Sequence, residues 1–499
     1  MAKKITQDKY RIKFVDRILD PVHGFIDLTE VESKIIALPI FKRMQSLKQL
    51  SLTNWVFPGA EHTRYMHSLG VMYVADLMAS NLRDINDNVK FNDGQRQLIR
   101  LAGLLHDIGH YPLSHVTEYV YKSKLLLEEN TLSSHNESIK KRIDRLALNT
   151  NTHDLEYMKS TYSKPMHHEN IGAFVIGFNK EINSIINEYC PFIDIEDIKD
   201  IIVGCVENKP EISAMVQLIH SELDADGIDY IMRDSSFSGT NYGGFELGLL
   251  VRNLVVETYN NVDIVGVKPK GISIVDQYLI SKYFSYTQVI FNRHVAIFDS
   301  MAEILSRALI KLEKCSAYPS EETLIKYIEL HNSNEEYLKF TDRTFWTQID
   351  TFKKVDLEGF VDDYIIKIHE KLSHYQEFEM YKDGETIITT DKKVDAHKLL
   401  SESQVYSRLN EKSSNHIALF HQRGFTSQIP ELELKQILME LYNDEDENKF
   451  LSINTSRLQE GVAIISKDSS IKLLTDDPRS IMSHLYNTNT YILRDYLVK

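Results

Sequence analysis

Cysteine is scarce in this sequence, with Cys190, Cys205 and Cys315 spread over 499 positions. Three widely separated cysteines form neither a disulfide framework nor the closely spaced pairs of a structural zinc site. Because disulfides mark oxidising compartments, their absence from the pattern leads us to expect the reducing cytoplasm.

Long apolar segments are also missing. No stretch approaches the 18 uninterrupted apolar residues that indicate a transmembrane helix. The opening residues MAKKITQDKYRIKF contain no apolar segment of the kind found in a signal peptide. We therefore expect a cytoplasmic protein with no membrane partner.

Positive charge is in deficit, since the formal net charge is -15. Such a surface repels polynucleotides overall, so we do not expect nucleic acid as the main partner. A small anionic substrate is compatible with this charge, because a bound metal and a few basic side chains dominate the local field. The remaining composition, 42% hydrophobic and 26% charged, is that of a soluble globular protein.

The chain shows no internal repeat, and the pattern of its hydrophobic residues changes near residue 315. Helical periodicity dominates residues 30–310. β-Branched runs at 384–390, 416–422 and 461–474 instead predict strands. We therefore predict a mainly α fold, with a helical core over 1–314 and a smaller α+β appendage over 315–499 that serves oligomerisation or regulation. The polar segment 125–165 is interpreted as a long, partly mobile insertion.

The segment LLHDIGHYPLSH (104–115) contains the strongest chemical signal. A helical apolar pattern ends in His106 and Asp107, and Gly109 then breaks it. An imidazole and a carboxylate at a helix end can direct one nitrogen and one oxygen at a single divalent cation. A His-Asp dipeptide alone often arises by chance, but His110 and His115 follow within nine residues. That clustering favours a functional site.

A second histidine lies one helix upstream, in EHTRYMHSLGV (61–71). A lone histidine on an apolar helix is more often a satisfied core residue than a ligand. His67, however, precedes the His106–Asp107 pair by one helix, as a converging ligand should.

Acidic residues recur on one predicted helix downstream. The i, i+4, i+7 spacing places on one face of this helix Glu222, Asp226, Asp229 or Tyr230, and Arg233. The alternative is a solvated acidic face. The flanking isoleucine and leucine residues predict a buried helix, and buried carboxylates require a cation or a hydrogen-bonding partner.

A fourth motif is MHHEN (166–170). The pair His168–Glu169 is suited to relay protons, because an imidazole titrates near neutral pH. The alternative is a helix start with a polar first turn.

These motifs, in the order H…HD…HE…D, together with residues 20–71, closely resemble the HD-superfamily deoxynucleoside triphosphate triphosphohydrolases. That family includes the sterile-alpha-motif/HD enzyme of vertebrates and bacterial dGTP triphosphohydrolases. The resemblance covers about residues 15–310. It implies an HD-domain helical core, a divalent metal (Mg, Mn, Fe or Zn), and hydrolysis of dNTPs to deoxynucleoside and inorganic triphosphate.

The resemblance also implies roles for individual residues. The metal ligands it implies are His67, His106, Asp107 and Asp226. The proton-transfer and supporting positions are His110, His115, Glu118, His168 and Glu169. The substrate-binding positions are Arg64 for the triphosphate, Gln49, Tyr230 and Asp234 for the 3′-hydroxyl, and Leu50 where a 2′-hydroxyl would project.

Some positions depart from the family pattern. Gly227 stands where the vertebrate enzyme has a phosphate-binding lysine. Ala37, Lys42 and Gln45 replace the residues of a guanine-specific activator site, while Lys42 and the neighbouring Arg43 and Lys48 leave a basic surface. We therefore expect a homo-oligomer (dimer, tetramer or hexamer) with an allosteric nucleotide site that answers to a deoxynucleotide rather than to GTP. Nucleotide depletion in antiviral defence is one role open to such an enzyme.

Three other functions share parts of this pattern. An HD nuclease or cyclic-nucleotide phosphodiesterase would use the same metal site, but the three positions for the 3′-hydroxyl favour a single deoxyribose. A different nucleotide phosphohydrolase is the second alternative. The third is a catalytically inactive nucleotide sensor, which the complete set of metal and proton-transfer positions disfavours.

Overall fold

A computed structural model describes residues 7–122, 132–148, 166–205, 209–312, 319–330, 332, 335–351, 357, 361–410, 415–428 and 455–498. The fold is mainly α with an α+β C-terminal region, as predicted. None of the described helices is both long and apolar enough to cross a bilayer.

Helices make up most of the described chain. Their bounds are Glu30–Ala37, Pro39–Lys42, Arg64–Asn81, Asp93–Leu105, His115–Lys122, Leu132–Asp144, His168–Phe178, Lys180–Tyr189, Ile195–Val203, Ser213–Ile219, Ala225–Ser238, Leu247–Arg252, Ile272–Phe284, Arg293–Leu312, Glu321–Leu330, Asp342–Thr351, Asp363–Ser373, Lys393–Ser401, Gln404–Leu409 and Met482–Leu485.

The described strands form three small sheets. An antiparallel hairpin joins β1 (Phe14–Asp20) and β2 (Gly24–Thr29). The remaining strand bounds are β3 Leu254–Tyr259, β4 Val262–Val267, β5 Glu379–Thr390, β6 His416–Gly424, β7 Ala463–Ile465, β8 Ile471–Leu473 and β9 Asn489–Leu497. The second sheet has the order β3-β4-β7-β8, and the third has the order β5-β9-β6 with both pairings antiparallel.

The predicted strand runs in the C-terminal region are confirmed, but the β3–β4 hairpin lies inside the segment predicted to be helical. Its turn residues Asn260 and Asn261 have φ of 49° and 63°. Asparagine tolerates this left-handed conformation, which a two-residue hairpin turn requires at both positions. The alternating pattern on either side of Asn260–Asn261 was therefore a strand signal.

The helices that hold the predicted site have clear local start and stop signals. Asn92 and Gln95 form a capping box at the start of helix Asp93–Leu105. Helix Ala225–Ser238 begins where the Asp224 side chain accepts a hydrogen bond from the Gly227 backbone N–H, and Gly239 ends it in the left-handed conformation at φ 72°. Glu222 precedes that helix, so its predicted place on the shared helical face is wrong.

One hydrophobic cluster includes buried residues from both sides of position 314. Strand β4 pairs in parallel with β7, which joins residues 262–267 to residues 463–465. Helix Leu132–Asp144, within the predicted insertion, packs on β6, where the Asn136 side chain bonds the backbone of His416 and Ala418. The parts of that insertion at 125–131 and 149–165 lie outside the described residues. The division of the chain into two regions at 314 stays a prediction.

Candidate active site

The four residues predicted as metal ligands converge from three segments. His67 lies in the first turn of helix Arg64–Asn81, His106 and Asp107 follow helix Asp93–Leu105, and Asp226 lies in the first turn of the helix that begins at Ala225. The Nε2 atom of His67 is 2.9 Å from Asp226 Oδ1 and 3.8 Å from Asp107 Oδ2. The Nε2 atom of His106 is 3.5 Å from Asp107 Oδ1 and 3.8 Å from Asp226 Oδ1. We call these four residues the metal cluster.

Hydrogen bonds orient both imidazoles for metal binding. The Nδ1–H of His106 donates to the Gly103 carbonyl oxygen at 2.8 Å, and that of His67 donates to Asp229 Oδ2 at 2.7 Å. The Nε2 atoms of both histidines are buried and make no hydrogen bond of normal geometry. Two imidazole nitrogens and two carboxylates directed at one point fit a divalent cation, because neutral imidazole and carboxylate are suitable ligands for such metals.

The electrostatic environment of the metal cluster also favours a cation. Burial would lower the pKa of His67, but the carboxylates of Asp226 and Asp229 raise it to about 10. Burial alone would raise the pKa of Asp107, but the Arg64 guanidinium and the neighbouring histidines hold it well below its usual value. A site that holds a proton this firmly is strongly negative, and metal binding should therefore release that proton.

Asp229 is fully buried and holds His67 by the ring nitrogen that is turned away from the metal cluster. Besides its bond to His67, it accepts Arg233 Nε at 2.9 Å and lies 2.6 Å from His23 Nε2. Arg233 also pairs with Asp20 at 2.8 Å. From the sequence, Asp229 was identified only by its helical spacing and His23 was not identified, although the i, i+4 spacing of Asp229 and Arg233 was a visible signal.

A second group, which we call the histidine cluster, consists of His110, His115, Glu118 and His168. Glu118 is its buried centre, since its two carboxylate oxygens lie 2.7 Å from His115 Nδ1 and 2.9 Å from His168 Nδ1. His168 Nε2 lies 3.8 Å from Asp107 Oδ1. Burial lowers the pKa of His168, but the Glu118 carboxylate outweighs it and raises that pKa overall. Glu118 thus orients two imidazoles beside the metal cluster and favours the protonated form of His168.

His110 has the opposite character. Its Nδ1 accepts the Tyr111 backbone N–H at 3.1 Å, which leaves the proton on Nε2. That Nε2 is buried without a hydrogen-bond partner, and the ring stacks on His168 at 4.4 Å. Burial and the nearby Arg64 hold the pKa of His110 well below its usual value. His110 is therefore a neutral donor, suited to a phosphate oxygen rather than to a metal.

His168 and Glu169 are adjacent in sequence but contact different partners. Glu169 lies 3.1 Å from His167 Nδ1 and 3.1 Å from His220 Nδ1. Burial lowers the pKa of His220, yet Glu169 raises it to about 9. The partner of His168 is Glu118 instead, and His220 was not identified from the sequence.

One of the predicted substrate residues contacts the metal cluster directly. Arg64 donates to Asp107 Oδ2 at 2.8 Å, to Ser114 Oγ at 3.1 Å and to the Gln49 carbonyl oxygen at 3.3 Å. Gln49 is buried, and its Oε1 atom lacks a hydrogen-bond partner among the described residues. Leu50 follows it and is half-buried.

The other two substrate positions lie on helix Ala225–Ser238. Tyr230 is half-buried and stands one turn after Asp226. Asp234 is buried, and its Oδ1 atom is 2.7 Å from His62 Nε2. A ligand hydroxyl at Asp234 would therefore share this carboxylate with His62.

The expected basic surface near residue 42 is smaller than predicted. Lys42 is exposed, as are Ala37 and Gln45. Arg43, however, is buried, and its guanidinium donates to the carbonyl oxygens of Ile108, His110 and Phe340. The prediction that Arg43 contributes to that surface is wrong, because three backbone acceptors from distant segments hold it inside. Lys48 is partly exposed, and its Nζ pairs with Glu61 at 2.8 Å.

The C-terminal region also braces the loops of the site. Asp342 accepts the Leu113 backbone N–H at 2.7 Å and the Lys48 backbone N–H at 2.8 Å. These two segments flank the histidine cluster and Gln49. A residue from beyond position 314 thus fixes the backbone on two sides of the site.

Comparisons with known proteins agree with this geometry. A family model described as HD domain matches residues 64–177, so the chain contains an HD domain. The chain is 27% identical over 274 residues to the uncharacterized protein YwfO of Bacillus subtilis, which covers 55% of this chain and 51% of that protein. Over 97 residues it is 41% identical to the deoxynucleoside triphosphate triphosphohydrolase SAMHD1 of Gallus gallus, which covers 19% of this chain and 16% of the relative.

The fold also recurs in a solved structure. A phosphohydrolase from Bacteroides thetaiotaomicron superposes with a TM-score of 0.58 at 20% identity, covering 96% of this chain and 99% of the other. That likeness shows the fold. The chain spans about half the length of the first curated relatives it matches.

Proposed function

We propose that this protein is a metal-dependent hydrolase that cleaves deoxynucleoside triphosphates into deoxynucleoside and inorganic triphosphate. The observation that carries the proposal is the pair of buried, unbonded Nε2 atoms of His67 and His106, directed at the carboxylates of Asp107 and Asp226. The HD-domain match and the local similarity to a dNTP triphosphohydrolase support the same reaction class.

The metal cluster would hold a divalent cation, with Mg, Mn, Fe and Zn as the candidates. When bound, such a cation polarises a phosphoryl oxygen and lowers the pKa of a water. The chain's own residues then bind and orient the substrate. Arg64 and the neutral His110 are donors to phosphate oxygens, because charge-assisted and buried N–H donors bind anions firmly.

Proton transfer falls to the histidine cluster. His168 and His115, both oriented by Glu118, can donate a proton to the departing 5′-oxygen of the deoxynucleoside. A positioned general acid of this kind accelerates a reaction by roughly 10²–10⁴-fold. Glu169 and His220 form a second, half-buried acid–imidazole pair, 3.1 Å apart, next to His168.

Sugar recognition is assigned to Gln49, Tyr230 and Asp234 at the 3′-hydroxyl, with Leu50 excluding a 2′-hydroxyl. Gln49 Oε1 supports this assignment, because a buried acceptor without a partner favours a ligand hydroxyl.

We further propose a homo-oligomer whose activity responds to a deoxynucleotide, since Ala37, Lys42 and Gln45 offer an exposed surface without the guanine-reading residues. Titrating each nucleotide into the reaction while measuring mass tests that regulation. Activation by GTP alone, or an active monomer indifferent to every nucleotide, would contradict it.

The direct test is to incubate the protein with each dNTP and Mn²⁺ and to resolve the products by anion-exchange chromatography. Inorganic triphosphate supports the proposal, whereas pyrophosphate or phosphate indicates another phosphohydrolase. Binding without turnover indicates a sensor, and cleavage of polynucleotides or cyclic nucleotides indicates a nuclease or phosphodiesterase. His106→Ala and Asp107→Ala should each abolish turnover in a folded protein. Exchange of the surface residue His484 for alanine is the matched control.

A further inference from the structure

Arg423 is a cation without a counterion among the residues that the structure describes. It lies near the end of β6, where strand pairing places it opposite Thr490 of β9. Its guanidinium carbon is 3.8 Å from the centre of the Tyr286 ring. Its Nε is buried without a hydrogen bond, and Arg423 forms no ion pair with any residue that the structure describes.

The Glu222 carboxylate, whose charge acts on Arg423, is already engaged by other groups. Glu222 is buried and lies within the electrostatic reach of Arg423. Its Oε1 atom, however, is 3.3 Å from Lys282 Nζ, and its Oε2 atom accepts from Ser427 Oγ at 3.0 Å. Lys282 is thus neutralised by Glu222, and Arg423 keeps its positive charge available.

Tyr286 connects Arg423 to the helix of the metal cluster. The segment Ser285–Ile290, which carries Tyr286, packs on helix Ala225–Ser238, where Tyr230 stands one turn after Asp226. Arg423, stacked on Tyr286, therefore lies on the side of the helix that carries Asp226. A stacked contact of 4.0 Å between Tyr283 and Phe425 holds the end of β6 in place there.

Position 227, next to Asp226 on helix Ala225–Ser238, has no room for a basic side chain. A Cβ atom at Gly227 would collide with the Tyr278 hydroxyl and would lie 2.8 Å from Asp224 Oδ1. Arg423 instead brings a positive charge to this helix from the C-terminal region.

We propose that Arg423 is a substrate-positioning residue that binds the polyphosphate of the ligand. The inference rests on the proposed function. The planar donors of an arginine are suited to bidentate binding of phosphate oxygens, which a lysine cannot reproduce. Binding of the phosphates would also pair a half-buried cation that has no counterion among the described residues.

The test uses the full chain with Mn²⁺ and compares the wild type with Arg423→Gln, Arg423→Lys and the surface control Arg252→Gln. Inorganic triphosphate is titrated by calorimetry, and dNTP hydrolysis is followed in parallel. Removal of a charge-assisted contact should weaken triphosphate binding and raise KM by about 10- to 100-fold. Binding of the deoxynucleoside product and of Mn²⁺ should not change, and the lysine variant should recover part of the loss.

The outcomes separate this inference from the proposed function. Triphosphate binding that depends on Arg423, in a protein that hydrolyses no dNTP, supports the phosphate site and rejects the dNTPase assignment. Active Arg423→Gln protein with unchanged KM and unchanged triphosphate affinity overturns the inference. Equal losses for triphosphate, deoxynucleoside and Mn²⁺ also overturn it, because they indicate a structural role.

Discussion

Replacing Asp229 by asparagine should weaken metal binding without touching a metal ligand. The Asp229 carboxylate accepts His67 Nδ1–H at 2.7 Å and Arg233 Nε at 2.9 Å, and lies 2.6 Å from His23 Nε2. An amide offers one acceptor oxygen and one donor nitrogen in place of two acceptor oxygens. The amide nitrogen must then face one of these N–H donors, which is repulsive. Alternatively, His67 must carry its proton on Nε2, the atom directed at the metal site.

The expected magnitude follows from comparable supporting contacts. Loss of a group that orients a metal-bound histidine weakens metal affinity by roughly 10- to 100-fold, which corresponds to about 1.4–2.8 kcal/mol. Mn²⁺ titration by calorimetry measures this change, and circular dichroism confirms the fold. Asp20→Asn is the matched control, because Asp20 pairs with the other side of Arg233 at 2.8 Å and does not contact His67. Equal Mn²⁺ affinity in folded Asp229→Asn and wild-type protein, or an equal loss in Asp20→Asn, would refute the reasoning.

Further predictions concern the packing and selectivity of the site. Gly70→Ala places a methyl group against the buried carboxylate–arginine pair that supports the metal cluster, and overpacking should lower the free energy of unfolding by about 1–3 kcal/mol. Gly248→Ala, which meets nothing within 4 Å, is its control in urea denaturation. Arg43→Met leaves buried carbonyl oxygens without a donor, each at a cost of roughly 1–3 kcal/mol, whereas exposed Lys42→Met should change stability by less than about 0.5 kcal/mol. Because Leu50 is proposed to exclude a 2′-hydroxyl, ribonucleotides should be hydrolysed less efficiently by about 1–3 kcal/mol in kcat/KM, and equal rates for ATP and dATP would contradict that assignment.

Local patterns in the sequence were sufficient to place the centre of the site. His106 and Asp107 follow a helix whose apolar spacing and stop signals are all contained within a few residues. The strands of the C-terminal region were likewise predicted from their β-branched runs. Where the sequence analysis succeeded, the physical cause was local, since periodicity and turn residues need no distant partner.

The errors concern residues whose environment is set by distant segments. Arg43 was predicted to share a basic surface with Lys42 and Lys48, but its three carbonyl partners come from positions 108, 110 and 340 and hold it inside. Asp229 differs from an ordinary helical carboxylate only through His23 and His67, which lie far away in sequence. No periodicity in a single sequence records such contacts.

Residues of the C-terminal region also contact distant segments of the helical core. The predicted boundary at 314 marks a change in the sequence pattern from helical to strand-like. Asp342 nevertheless holds the backbone at Lys48 and Leu113, and β6 brings Arg423 to Tyr286. Both contacts act on segments that carry the metal cluster or its surroundings. Because a side chain positions a ligand only if its own backbone is held in place, the packing of β6 and β9 on the helical core becomes part of the chemistry. A ligand that binds this region more tightly in one arrangement than in another would therefore shift the site itself, which gives the proposed nucleotide regulation a direct structural route.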